Sequence, residues 1–170
     1  MFARYEGSSG MERLVRDFSA QELVLNDKVI ARRFADVATI EELQTGARLY
    51  LEGELGKNSL FFILIGSVSL SAKKKHIAEL KQGQTVGEFP IVTGSKYAVT
   101  VHAREQTFLA RVPEEQFRRI VEDHPVVWEN MARMLVSRLD RDSNASPATL
   151  ENVSRLDLLR AAFKRRRERD

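Results

Sequence analysis

The residues best suited to chemistry lie between Val86 and Val101, in the run VGEFPIVTGSKYAVTV. Gly87-Glu88 reads as a backbone corner, followed by a short apolar turn of helix, a polar loop at Thr93-Gly94-Ser95, and a strand. A corner that runs into a helical turn gathers free backbone N–H groups in one small space, which suits an anion. The Glu88 carboxylate stands beside that space and can accept from a hydroxyl. A phosphate attached to a sugar would satisfy both features. The residues carry the reading no further, because Gly-Glu corners occur in many β proteins.

Other chemistries find little support. The chain has no cysteine, which excludes disulfides, thiolate metal sites and a cysteine nucleophile. His76, His102 and His124 are scattered, and none has a second ligand at metal-binding spacing. Glu52 and Glu54 fit a solvated strand end. No Ser/His/Asp order, P-loop or dinucleotide fingerprint is present, so neither an enzyme nor a metal or other cofactor is expected. The longest apolar run, Leu60 to Ile65, is too short to cross a bilayer, and the amino terminus lacks the apolar core of a secretory signal. No membrane association is expected, and the expected location is the cytoplasm. Of the net charge of +3, the stretch from Arg155 to Asp170 carries seven basic residues against three acidic ones. The basic character therefore belongs to the tail.

The elements that must position the Gly-Glu corner follow from the pattern on either side. Residues 1–18 read as a flexible segment, with Gly7, Ser8, Ser9 and Gly10 as a break. Ser19 to Glu22 fits a capping box that would open a helix with Leu23, Val29, Ile30 and Phe34 on its apolar face. From about residue 37 to 112 short segments alternate with glycines. Ser67-Val68-Ser69-Leu70-Ser71 has the period of a half-buried strand, and Leu60 to Ile65 has no polar face at all. Lys73-Lys74-Lys75 falls at a hairpin tip. Seven or eight strands in about 75 residues predict a jelly-roll β-roll, so the fold class is mainly β with flanking helices. Helices then fill 113–142: Pro113 suits a first helical position, and Phe117, Ile120 and Val121 form one face. After Pro125 a second helix carries Val127, Met131, Met134, Leu135 and Leu139 along a stripe. Residues 143–170 read as a linker and a basic amphipathic helix with Leu150, Val153, Leu156, Leu159 and Phe163 on one face.

The order SLFFILIGSVSL, LKQGQTVGEF, a strand, PEEQFRRIVEDHP and a long helix resembles the cyclic-nucleotide-binding domain over about Val37 to Leu139. That family includes catabolite-activator-type bacterial regulators and the regulatory subunits of cyclic-AMP-dependent protein kinase. The resemblance implies a ligand site in which Gly87 and Glu88 match the family's cassette, with Glu88 accepting from the ribose 2′-hydroxyl. Phe89 sits at a leucine, and Ala98 and Thr100 match the small residue and threonine that follow the cassette arginine. Two positions depart. Tyr97 stands where the family has the arginine, and Pro90 stands where it has an alanine whose amide donates to the phosphate. A tyrosine offers one neutral O–H in place of a charged fork, and proline offers no N–H. Losing two charge-assisted bonds of about 1.5–3 kcal/mol each would weaken binding by about two to four decades. Lys96 is adjacent, but a one-residue offset on a strand points it the other way.

The expectation is a non-catalytic regulatory or sensory module, residues 19–142, with weak or lost affinity for cyclic AMP and cyclic GMP. Three alternatives stay open. The first is a working cyclic-nucleotide sensor that holds its ligand with Glu88 and substitute phosphate contacts, or another small anion. The second is a homodimerisation or protein-interaction module. The stripe from Val127 to Leu139 is expected to form a homodimer seam, with packing back on the roll as a lid the other reading of the same residues. The third is a nucleic-acid-associated regulator acting through Lys164, Arg165, Arg166 and Arg167. Sequence-specific DNA reading is not expected, because the roughly 30 residues after Leu139 are too few for a helix-turn-helix domain.

Overall fold

The computed structural model describes residues 2–55 and 58–143. Eight strands form two four-stranded antiparallel sheets. They are β1 Thr39–Leu43, β2 Arg48–Tyr50, β3 Ser59–Ile65, β4 Ser67–Ala72, β5 Lys75–Lys81, β6 Thr85–Val86, β7 Thr100–Ala103 and β8 Thr107–Pro113. One sheet has the order β1-β8-β3-β6 and the other β2-β7-β4-β5. Consecutive strands alternate between the sheets in part, as a jelly roll requires. The β4–β5 hairpin turns at Lys73 and Lys74, both with positive φ, where the lysine run placed it.

β3 explains why its sequence has no polar face. Phe61 and Ile63 point between the sheets and pack with Leu49, Tyr50, Val68, Val86, Tyr97, Val101 and Leu109. Leu60, Phe62 and Leu64 point the other way, into a second core shared with the helices. At the centre of that core the Phe62 ring lies 5.0 Å from both Phe18 and Phe34. Five helices serve this arrangement: α1 Gly7–Ser19, α2 Lys28–Val37, α3 Glu88–Thr93, α4 Glu114–Asp123 and α5 Val126–Ser143.

The amino-terminal end departs from the sequence expectation. Residues 1–18 do not form a flexible segment: a 3-10 turn at Phe2–Tyr5 leads directly into α1. Leu14 and Phe18, four residues apart, are buried, and Tyr5 donates to Asp17 at 2.8 Å. Gly10 is a packing glycine, not a break, since a Cβ there would lie 2.2 Å from the Tyr5 carbonyl carbon. The capping box also fails. Ser19 ends α1, and Asp27 caps α2 by accepting from the amides of Val29 and Ile30 at 2.9 and 3.0 Å. Leu25 and Asn26 take positive φ to reverse the chain between the helices, which leaves Val29 exposed while Leu23, Ile30 and Phe34 are buried. Pro113 closes β8 and caps α4 one residue before its first turn.

α5 starts after Pro125 as expected, but its stripe faces inward. Val127, Met131, Met134 and Leu135 are buried in the helical core of their own chain. Asn130 adds a hydrogen bond from its amide to the Leu23 carbonyl at 3.0 Å. The seam read as a dimer contact is thus filled from within at these four positions, because the outer face of the β1-β8-β3-β6 sheet needs an apolar cover. The side chain of Leu139 lies outside the described residues, as do the 143–170 helix beyond Ser143 and Lys164, Arg165, Arg166 and Arg167.

Candidate functional site

The Gly-Glu corner forms where β6 ends against β3. Gly87 adopts φ +88°, and a Cβ there would meet the Ser59 carbonyl oxygen at 2.8 Å, so only glycine turns the chain this close to β3. α3 follows at once, with Glu88 first, Phe89 second and Pro90 third. Pro90 is buried and brings no amide to the start of the helix. Gly94, also left-handed, ends α3 with its N–H on the Pro90 carbonyl at 2.8 Å.

Glu88 is buried, and its carboxylate already has a partner. The Arg138 guanidinium reaches down from α5 and donates through Nη1 to Glu88 Oε1 at 2.8 Å. Through Nη2 the same guanidinium bonds Glu22, whose Oε1 also accepts from the Thr85 amide at 3.2 Å. Glu88 Oε2 and Arg138 Nε are buried with no hydrogen-bond partner. Burial pushes the Glu88 carboxyl above the usual carboxylate range, and the Arg138 charge opposes that shift without cancelling it.

Tyr97 is buried between the sheets. Its ring stacks on Tyr50 with centroids 3.7 Å apart and planes 6° from parallel. The backbone of Tyr97 is clamped by the β2–β3 loop, giving its N–H to the Glu54 carbonyl at 3.0 Å and receiving the Gly53 N–H at 2.9 Å. The Tyr50 hydroxyl is raised well above its ordinary pKa, first by burial and then by the nearby Glu88 and Tyr97, with the Arg138 charge opposing the shift. A stacked aromatic pair therefore lies beside a carboxylate that is paired within the chain.

The remaining expected site residues divide. Phe89 is half-buried against the helical core. The Thr100 hydroxyl accepts the Glu52 amide at 3.0 Å, so this residue pins the β2–β3 loop. Ala98 and Lys96 are exposed. Arg138, Glu22 and Tyr50 were not expected. Arg138 follows Leu135 by three residues and Met134 by four, so it continues the buried stripe of α5, and an arginine at that spacing was the available signal. Glu22 had been assigned to a local cap, and nothing in the sequence marks Tyr50.

Fold and corner together define a β-roll whose Gly-Glu corner opens a short helix. Residues 40–124, half of the chain, match the model of the cyclic nucleotide-binding domain, and the chain belongs to that family. It is 33% identical over 147 residues to the Pycsar effector protein PaPycTIR of Pseudomonas aeruginosa, covering 85% of this chain and 47% of that protein. It is 30% identical over 154 residues to XpPycTIR of Xanthomonas perforans, covering 90% and 50%. Among solved structures, cAMP-bound PfPKA-R superposes with a TM-score of 0.72 at 16% identity, over 84% of this chain and 50% of that one. That likeness concerns the fold.

The chain spans about half the length of the curated relatives it matches. These matches correct the expectation that the protein is not an enzyme. That expectation came from the absence of catalytic motifs in 170 residues, and this chain matches only about half of each effector protein, so the motifs of this chain do not decide it. No described helix is long and apolar enough to cross a membrane.

Proposed function

We propose that the chain is the ligand-sensing module of a regulatory protein, with a cassette that has low affinity for cyclic AMP and cyclic GMP. The observation that carries this reading is the burial of the Tyr97 ring against Tyr50, in the position where a phosphodiester would need a cation. Pro90 removes one amide from the same end of the site. Arg138 supplies no free cation in compensation, because two carboxylates share its guanidinium. The names of the relatives support a module that governs an effector, in the same polypeptide or in a partner.

A thermal-shift screen tests the proposal, using the 3′,5′-cyclic monophosphates of adenosine, guanosine, cytidine and uridine together with cyclic dinucleotides. A ligand that binds only the folded chain raises its melting temperature in proportion to the logarithm of its concentration. No rise is expected from cyclic AMP or cyclic GMP at tens of micromolar. A saturable rise with either at that level would refute the proposal, and a rise with another member of the panel would identify the ligand class.

A further inference from the structure

A cation approaches the Gly-Glu corner from the strand side. Val86, the residue before Gly87, pairs with Phe61, and Phe61 pairs on its other side with Arg111. Ala110 and Val112 face the helical core and Leu109 packs between the sheets, so Arg111 rises on the between-sheet face with Leu109. There its Nε donates to the Ser59 hydroxyl at 3.2 Å. Ser59 is 2% exposed, and its carbonyl oxygen and the Phe61 ring are the groups against which Gly87 turns. Ser59 thus abuts the corner through its backbone and holds Arg111 through its hydroxyl. Strands about 4.8 Å apart place β8 about 10 Å from β6, and the bond to Ser59 turns the guanidinium toward the corner.

The guanidinium keeps donors in reserve. Apart from Ser59 it meets only Glu41 Oε1, at 3.4 Å, and its Nη2 has no hydrogen bond among the described residues. A guanidinium carries more N–H donors than these contacts use, and this side chain is 42% exposed. Arg138 differs, since two carboxylates share it. We propose that Arg111, oriented by Ser59, is the anion-binding residue of the ligand site, holding the phosphate of a nucleotide whose ribose lies at the Gly-Glu corner. The ligand class is a nucleotide with an open-chain phosphate. A 3′,5′-cyclic phosphate is locked against its ribose and stays at the corner, whereas a 5′-phosphate on a rotatable ester extends along β3 to β8. Glu41 is the charge that competes with the phosphate for Arg111. The inference rests on reading the corner as the ligand site, and it adds a preference to the low affinity for cyclic AMP and cyclic GMP.

Isothermal titration of the chain tests it, with the 5′-mono- and 5′-diphosphates of adenosine, guanosine, cytidine and uridine as probes. At least one probe is expected to bind, and Arg111→Gln should weaken that binding at least about tenfold, the worth of one charge-assisted contact. Glu41→Gln removes the competitor and should tighten it. A merely structural ion pair would make both substitutions act in the same direction. No saturable binding of any probe below about 1 mM overturns the proposal, as does an Arg111→Gln variant within about twofold of wild type, or a Glu41→Gln variant that binds more weakly. Should Arg111→Gln fail to fold, Arg111→Lys keeps the charge without the fork, and a smaller loss of the same sign is expected. Micromolar binding of cyclic AMP by wild type would refute the low-affinity reading, whereas Arg111 is judged on the variant-to-wild-type ratio for the 5′-nucleotides.

Discussion

The substitution Tyr97→Arg places an arginine where the resemblance to the family implies one and should trade stability for affinity. The ring it removes is buried between the sheets and stacked at 3.7 Å on Tyr50. Stacking of this kind contributes about 0.5–1.5 kcal/mol beyond the area buried. Truncating a core aromatic to alanine costs about 3–5 kcal/mol. The arginine methylenes recover part of that loss, but its charge must be desolvated or drawn toward solvent. A net loss of about 3 kcal/mol follows. In return, one charge-assisted contact to a phosphate should add about 1.5–3 kcal/mol to binding, one to two decades in Kd. Urea unfolding followed by the fluorescence of Trp128, the single tryptophan of the chain, measures the first quantity. Calorimetric titration with cyclic AMP measures the second. A variant as stable as wild type would show that the Tyr97 ring is not part of the core. Unchanged affinity in a folded variant would show that the missing cation is not what weakens the site.

Other outcomes follow from single contacts. Gly87→Ala forces a Cβ toward the Ser59 carbonyl oxygen at a left-handed φ and should lower stability by at least about 1 kcal/mol in the same urea assay. Phe62→Ala removes the ring at the centre of the helical core and should cost about 3–5 kcal/mol. Asp27→Ala removes the cap of α2, with an expected loss of about 1 kcal/mol. Glu88 carries a pH signature. Its pKa in the folded chain is raised by burial, with Arg138, Glu22 and Tyr50 as the charged or titratable groups around it. Between the unfolded and the raised folded pKa the folded state binds more protons, so this group lowers stability as pH rises through that interval. Subtracting the unfolding free energy of Glu88→Gln from that of wild type should give a difference that falls with rising pH there. A difference that rises would reverse the assignment.

The roll was legible in the sequence because its strands obey local rules. The alternation at Ser67 to Ser71, the unbroken apolar run of β3 and the lysine tip of the hairpin each map onto an observed element. The cassette backbone was legible for the same reason, since Gly87 needs its positive φ and Pro90 its missing amide whatever surrounds them. What escaped depends on contacts distant in the chain. Glu22 looked like a capping residue until its partners proved to be Thr85 and Arg138, 63 and 116 positions away. Gly10 looked like a break because its neighbour Tyr5 packs onto it only once the 3-10 turn forms. The α5 stripe was visible, but a stripe does not say whether a second copy or its own sheet will cover it.

The most direct test of the low-affinity cassette is calorimetric titration of the wild-type chain with cyclic AMP and cyclic GMP. With Tyr97 packed on Tyr50 and Glu88 held by Arg138, no saturable heat is expected at tens of micromolar ligand. A Kd in the low micromolar range for either nucleotide would contradict it.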